Sequence, residues 1–472
     1  MRGWDEDGKQ WYSKKNLMTA LGLIEGVGRT MYRDNAFDKS AYPLDDKIGL
    51  LSINDNRSRY TQVFAWNVAR LYAELTEEDA ASAIKAMLGI EINKTQITNV
   101  AQAVAKNYTK PVDTSIPNNQ MDTEGSEEVV KNNDQMDTEA TEEVVKNNDQ
   151  IDTEGSEEVA ENIEDQPCEK VDSEGFLAEK LRELDARPDR DAIIQAAVDG
   201  KLNGIEGGET MQIAMYLSSD GSGVPGLRRE LSDNGKNGGK AGTFEAKIGC
   251  TFRQGFTANG MPVLDKGKIT RIPDTTKYTG TTEKIGGFSP LFTDFAIKNG
   301  IFGAKQVIFL CDGALWLKNM QMRLYPTAIF IVDFFHAAEH LDDVISALRF
   351  DSPEKRKEFA DKCVHLLELG DIGQLTELIR SKMNKSDEET IEKKLAYFER
   401  NADRMRYGLF RAVGLFIGSG VMEAACKTIV GKRLKNAGMH WSKKNANGVI
   451  ALRCAICSNE FEVPGTNNSL AA

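Results

Sequence analysis

Two stretches decide how this chain is read: "YLSSDGSGVPG", Tyr216 to Gly226, and "VIFLCDGALWLKN", Val307 to Asn319. Each starts as an apolar run and reaches an Asp-Gly pair, Asp220-Gly221 in the first and Asp312-Gly313 in the second. One Asp-Gly is ordinary turn chemistry. Two buried strands that each end on a carboxylate suggest a site. If the strands are neighbours the carboxylates lie side by side, and each raises the other's pKa unless a divalent cation sits between them. Hard oxygen ligands of this kind suit Mg2+ or Mn2+.

The pattern around these stretches is strand (Met211 to Ser219), a Gly/Asn/Lys-rich loop, strand ("TFEAKIGCTF"), strand (Gln306 to Cys311), helix, strand ("TAIFIVDFF"), and a helix from about His336. Strands followed by helices, with carboxylates at strand ends, describe an α/β sheet with a site at its carboxyl edge. A third carboxylate is expected, and Glu423 in "FIGSGVMEAACKTIVGKRLKNAGMHWSKKNANGVIALR" is the candidate. Ser419 is placed to cap a helix that starts near Val421, which puts Glu423 in its first two turns with Lys427 on the same face. Alone, that pair reads as an ion pair on a solvated helix. Next to two strand-end aspartates and the basic run Lys432, Arg433, Lys435, Lys443, Lys444 and Arg453, the site reading is preferred.

The chain's 472 residues allow several domains and ample core. Its most apolar stretch, Leu409 to Val430, is interrupted by Arg411, Glu423 and Lys427, so it does not read as a membrane span. The start, "MRGWDEDGKQ", lacks the apolar stretch of a signal peptide, and a soluble, cytoplasmic protein is expected. The 7 cysteines show no disulfide framework. The one CxxC, "RCAIC", reads as packing rather than zinc.

Net charge is -13 but unevenly spread. From Asn118 to Glu169 a unit recurs about every 15 residues, headed by Met121, Met136 and Ile151; about 18 acids against two lysines leave the rest of the chain near +3. So acidic and aromatic-poor a tract reads as a disordered linker. The competing reading is an acidic mimic that competes with DNA for basic surfaces. Upstream, Val63, Trp66, Val68 and Leu71 recur at helical spacing. Thr76 then reads as an N-cap, Gly89 as a break, and Asn93 as the cap of a second helix carrying Ile97, Val100 and Val104. This is the outline of a helix-turn-helix, with the helix from Lys94 to Lys106 as candidate DNA reader.

Taken together, Asp220 in "SSDGSGVPG", Asp312 in "FLCDGALWLKN", "IVDFFHAAEHL", and above all "IGSGVMEAACKTIVGKRLKNAGMHWS" resemble the insertion-sequence DDE transposases of the ISKra-four group. The likeness runs from about Met211 to Arg453, with a weaker echo in "LGLIEGVGRTMYRD" and "YPLDDKIGL". Relatives carry cysteines near that N-terminal stretch, often read as a zinc knuckle; this chain has none before Cys168.

The resemblance implies an RNase H-like mixed sheet flanked by helices, in which Asp220, Asp312 and Glu423 hold two Mg2+ or Mn2+ ions. Those ions activate water or a DNA 3′-hydroxyl and stabilise the leaving oxygen of an in-line phosphoryl transfer. Asp333 and His336 form a D-x-x-H that would orient the site. Lys427, Lys432, Arg433, Lys435, Trp441, Lys443 and Lys444 would contact DNA, and Trp316 or Trp441 could stack on a flipped base. His336-x-x-x-His340 could bind zinc, but the HExxH order is absent.

The implied layout is an N-terminal, mainly helical domain (1–117), the acidic linker (118–169), a first catalytic part (170–350), a helical insertion (351–411), a final catalytic helix and basic segment (412–458), and a tail (459–472). Partners would be double-stranded DNA, namely the element's terminal inverted repeats and a target, with a homo-oligomer assembled on it. Two other classes fit the same residues: a domesticated relative that binds DNA without cutting, and an RNase H-like nuclease unrelated to transposition.

Overall fold

Apolar runs too short for helices and rich in β-branched residues build the central sheet, and amphipathic stretches cover it. The computed structural model describes residues 12–30, 32–34, 39–41, 45, 48, 50–53, 56–109, 175–228, 231, 242–384 and 388–462. The acidic repeat, residues 118–169, lies outside the described residues. The described residues fall in one compact unit.

The N-terminal region was expected to be mainly helical, but it opens with a four-stranded sheet of order β2-β1-β4-β3. Its strands are β1 (Tyr12–Thr19), β2 (Gly22–Thr30), β3 (Leu50–Ile53) and β4 (Asn56–Thr61). Leu17, Met18, Leu50, Leu51 and Tyr60 are inside, while Leu21, Leu23 and Ile24 at the β1–β2 turn are exposed. That leaves no strong period for a pattern to follow.

Helices α1 (Gln62–Glu74), α2 (Glu77–Leu88) and α3 (Lys94–Thr109) follow. Thr76 caps α2 by accepting the Asp79 N–H at 3.1 Å. Gly89 ends α2 at φ +64°, in the left-handed region that favours glycine. Asn93 accepts the Gln96 N–H at 2.9 Å, and Gln96 accepts the Asn93 N–H at 3.1 Å, a reciprocal cap that starts α3. α3 buries Ile97, Val100 and Val104 against α1 and against the last helix of the chain.

After α4 (Phe176–Asp185) and α5 (Arg190–Val198) comes the central five-stranded sheet, order β7-β6-β5-β8-β9. Its strands are β5 (Gln212–Pro225), β6 (Thr243–Phe256), β7 (Lys277–Thr281), β8 (Gln306–Cys311) and β9 (Ile329–Val332). β6 is antiparallel to both β5 and β7, and β8 and β9 run parallel to β5. Helices α6 (Ile285–Lys298), α7 (Leu315–Leu324) and α8 (Phe334–Ala347) complete this layer. β5 does not stop at Asp220, as the Asp-Gly pair suggested. It continues to Pro225, with Asp220 opposite Ile248 and Gly221 opposite Lys247. Asp-Gly turns where nothing else claims its backbone, and here β6 supplies a partner for every residue. The strand that ends at this level is the neighbour, β8.

Three helices fill the expected insertion: α9 (Pro353–Leu369), α10 (Ile372–Lys382) and α11 (Glu388–Asn401). Ser352 caps α9, with Pro353 at its first turn. Then come α12 (Tyr407–Ala412), α13 (Gly420–Ala425), a π-helical turn (Cys426–Gly431), α14 (Lys432–Leu434) and α15 (Lys443–Cys457). One hydrophobic cluster joins Phe64, Tyr72 and Val100 to Val224, Ile248, Ile429 and Ile450. The N-terminal helices thus share a core with the β5–β6 hairpin and the end of the chain, where the sequence reading drew a separate domain. Among the described residues, no helix is long and apolar enough to cross a membrane.

Candidate functional site

Strand register builds the site. β5 and β8 pair from Ala214↔Gln306 to Leu217↔Phe309, and β8 and β9 pair from Ile308↔Ile329 to Cys311↔Val332. Carried a few residues further, both registers place Asp220, Asp312 and Asp333 in one row across three adjacent parallel strands, about 4.8 Å apart. The Ser218 hydroxyl donates to the Leu310 carbonyl at 2.6 Å, and the Asp333 N–H to the Cys311 carbonyl at 2.7 Å, which keeps the row aligned.

Asp220 and Asp312 form the reactive part of that row. Burial holds the Asp220 carboxyl above the ordinary carboxylate range, and the Asp312 charge raises it further. Burial also raises Asp312; the Asp333 charge adds to this, while an N–H bond from Ala314 and the nearby His336 oppose it. Gly221 N–H donates to Asp220 Oδ1 at 2.7 Å, and Ala314 N–H to Asp312 Oδ1 at 2.9 Å. Neither aspartate has an ion-pair partner among the described residues.

Asp333 sits in the same row but does a different job. It is 5% exposed, and both its oxygens are taken by backbone N–H groups: His336 donates to Oδ1 at 2.8 Å and Ser419 to Oδ2. It caps α8 and ties the end of β9 to the loop that leads into α13. His336 lies close enough to act electrostatically on both aspartates, and its Nε2 lies 3.1 Å from His340 Nε2. Burial and the His336 charge pull His340 down to about 4.

Two further residues reach the pair without a sequence signal. The Tyr397 hydroxyl, carried by α11 in the insertion, donates to the Asp312 carbonyl oxygen at 3.2 Å. Cys426 Sγ lies 3.7 Å from Asp220 Oδ2, its thiol pushed up by burial and by the Asp220 charge. Only its place three residues after Glu423 could have drawn notice to Cys426.

Glu423 is not brought to the pair. Its side chain is 68% exposed and bound to Lys427. Among the described residues there is no group of three or more His, Cys, Asp or Glu that could hold a metal ion. The expected triad is therefore a pair plus a third carboxylate engaged elsewhere. The reason is local: an i,i+4 Glu-Lys pair forms on any helix and needs no tertiary partner. α13 itself packs against β5 and β6, so Glu423 stands on an element that adjoins Asp220.

The basic segment divides in two. Lys427, Lys432, Lys435, Lys443 and Lys444 are exposed. Arg433 and Trp441, expected on DNA, are inside. Arg433 is 0% exposed and donates from Nε to the Tyr72 carbonyl at 3.0 Å; its Nη2 is 3.3 Å from Glu77 Oε1. Its guanidinium lies between the rings of Tyr72 and Trp441, 5.2 and 4.7 Å from their centroids. Trp441 donates to the Leu434 carbonyl at 3.1 Å. Arg453 reaches the Ala73 carbonyl at 2.6 Å, the Thr428 carbonyl at 2.7 Å, and Glu74 at 3.2 Å. Together the two arginines satisfy carbonyls at the C-terminus of α1. Trp316 packs edge-on against Phe288 with Lys247 over its ring.

No protein-family model matches this chain, and no curated protein matches it in sequence. Fold and site define the class: a mixed α/β protein with two neighbouring, half-buried aspartates of raised pKa at the carboxyl edge of its central sheet.

Proposed function

We infer that this chain is a DDE transposase, cutting and joining DNA strands at the ends of an insertion sequence by in-line phosphoryl transfer on an RNase H-like domain. The observation that carries the reading is the Asp220–Asp312 pair, held in register with no Lys or Arg ion-pair partner among the described residues and only His336 to offset its charge. The sheet supports it too: three antiparallel strands extended by two parallel ones, with the acids on the first and fourth strands in chain order.

Two neighbouring, half-buried hard-oxygen donors of raised pKa fit a divalent cation such as Mg2+ or Mn2+, and Asp220 and Asp312 would hold it. When bound, such an ion offsets charge on the transferring phosphoryl group and makes a nucleophile of water or a 3′-hydroxyl. The protein's part is placement. Gly221 and Ala314 fix one oxygen of each aspartate, and Tyr397 fixes the Asp312 backbone. Asp333 anchors the loop before α13 through Ser419. Glu423 would complete the acidic set by exchanging Lys427 for the site.

The test compares wild type with Asp312→Asn on duplex DNA carrying the element's ends, with Mg2+ and with chelator. Asp312→Asn should lower metal-dependent cleavage by orders of magnitude while DNA retention survives, because the charge goes and the shape stays. Glu423's commitment to Lys427 favours a second reading, a protein that binds DNA without cutting it. Wild type that retains DNA, shows no metal-dependent cleavage and matches Asp312→Asn would establish that one.

A further inference from the structure

A polar cleft of about 450 Å³, open to solvent, lies between α3 and the start of α15. Its α3 wall presents Asn99, Gln102 and Lys106, which recur at steps of three and four and so share one helix face. Its other wall presents Lys443 and Lys444, and Glu283 stands at the rim. The walls are fixed to each other. Gln102 Nε2 donates to the Asn445 carbonyl at 3.1 Å, and a Cβ at Gly448 would meet the Gln102 amide at 2.3 Å, so a larger residue there would displace that side chain.

Charge sets the cleft apart. Elsewhere on these N-terminal helices the lysines are paired, Lys85 with Glu91 at 2.8 Å and Lys94 with Glu78 at 2.9 Å. Lys106, Lys443 and Lys444 are exposed and enter no ion pair among the described residues. Three unpaired ammonium groups and several carboxamides converge on one rigid, solvent-open channel that holds a single acid. Ammonium groups bind phosphates as point charges, and amides donate to phosphate oxygens. Outside the acidic repeat the chain carries only about +3, so holding a polyanion takes a local concentration of cations.

We propose that this cleft seats the phosphodiester backbone of duplex DNA, so that α3 and α15, from opposite ends of the chain, form one binding surface. This rests on the DNA reading above and changes its geometry. α3 is docked on the core and contributes one wall of a shared track; it is not a free recognition helix.

The experiment uses the full chain and a DNA duplex in the presence of chelator, so that binding is read apart from cleavage. Affinity is measured against salt for Lys106→Gln, for Lys443→Gln with Lys444→Gln, and for Glu283→Gln. Lys106→Gln should weaken binding several-fold and lower the slope of log affinity against log salt by about 0.9. The double lysine variant should do so by about twice as much, and Glu283→Gln should tighten binding. All these residues are on the surface, so folding is not at stake. If Lys106→Gln leaves affinity and slope unchanged, the composite track is wrong, whatever the other lysines do. If inorganic phosphate binds with the same lysine dependence and displaces the duplex at equal phosphate concentration, the cleft is a small-anion site and the proposal is overturned. Lysine-dependent binding without metal-dependent cleavage keeps the cleft and removes the enzyme reading; cleavage without lysine dependence does the reverse.

Discussion

The aspartate row and the arginine clamp both bury charge, and they treat it in opposite ways. Asp220 and Asp312 lie next to each other with no ion-pair partner among the described residues, and burial and neighbouring carboxylates push their carboxyls up against the opposing effect of His336. Arg433 and Arg453 are 0% and 2% exposed, and their guanidiniums meet backbone carbonyls, Glu77 and Glu74. A buried charge that has its partners is structural, since it ties elements together at little net gain. A buried charge that lacks them is costly in the free protein and is kept where something else, such as a cation, will supply the missing partner.

The sharpest way to break this contrast is Arg453→Met. It removes the donors to the Ala73 and Thr428 carbonyls and leaves both buried, which should cost about 2–4 kcal/mol. The denaturant midpoint reads this directly. Arg433→Met should behave in the same way and leave the salt dependence of DNA binding unchanged. A flattened salt slope with normal stability would return Arg433 to the DNA-contacting set.

Asp333→Asn should have a smaller effect. An amide can still accept one of the two N–H bonds, but one charge-assisted bond is lost, at about 1–2 kcal/mol. Because the lost bond releases Ser419 and the loop before α13, metal-dependent cleavage should fall more than stability does. Equal losses would make Asp333 a helix cap and nothing more.

The smallest effect has the opposite sign. Asp220 and Asp312 titrate above their ordinary value in the fold, so the folded chain holds these protons more tightly than the unfolded chain. The stability this gives is present below the ordinary carboxylate range and is lost as pH rises through the raised values. Metal-free Asp220→Asn should therefore melt slightly above wild type at neutral pH, and the gap should close on acidification. Mg2+ should raise the melting temperature of wild type and do little for the variant. A variant that melts below wild type at neutral pH would mean the pair is neutralised after all.

The amino-acid sequence by itself settled what depends on a few neighbouring residues. Thr76 and Asn93 cap their helices because an N-cap needs only a side chain and an N–H three residues on. The strand at Gln306–Cys311 follows from its apolar run, and Asp312 falls beyond its end. Glu423 and Lys427 meet because they are four apart on a helix. Whether Asp220 and Asp312 are neighbours was beyond any local pattern, because strand order and register are set by side chains far apart in the chain. The same holds for Tyr397, 85 residues from the carbonyl it binds. It holds also for the fate of the basic run, whose lysines and arginines look alike in sequence. Tertiary packing sorted them: the end of α1 offered bare carbonyls, and the two arginines that could reach them were drawn inside while the lysines stayed in water.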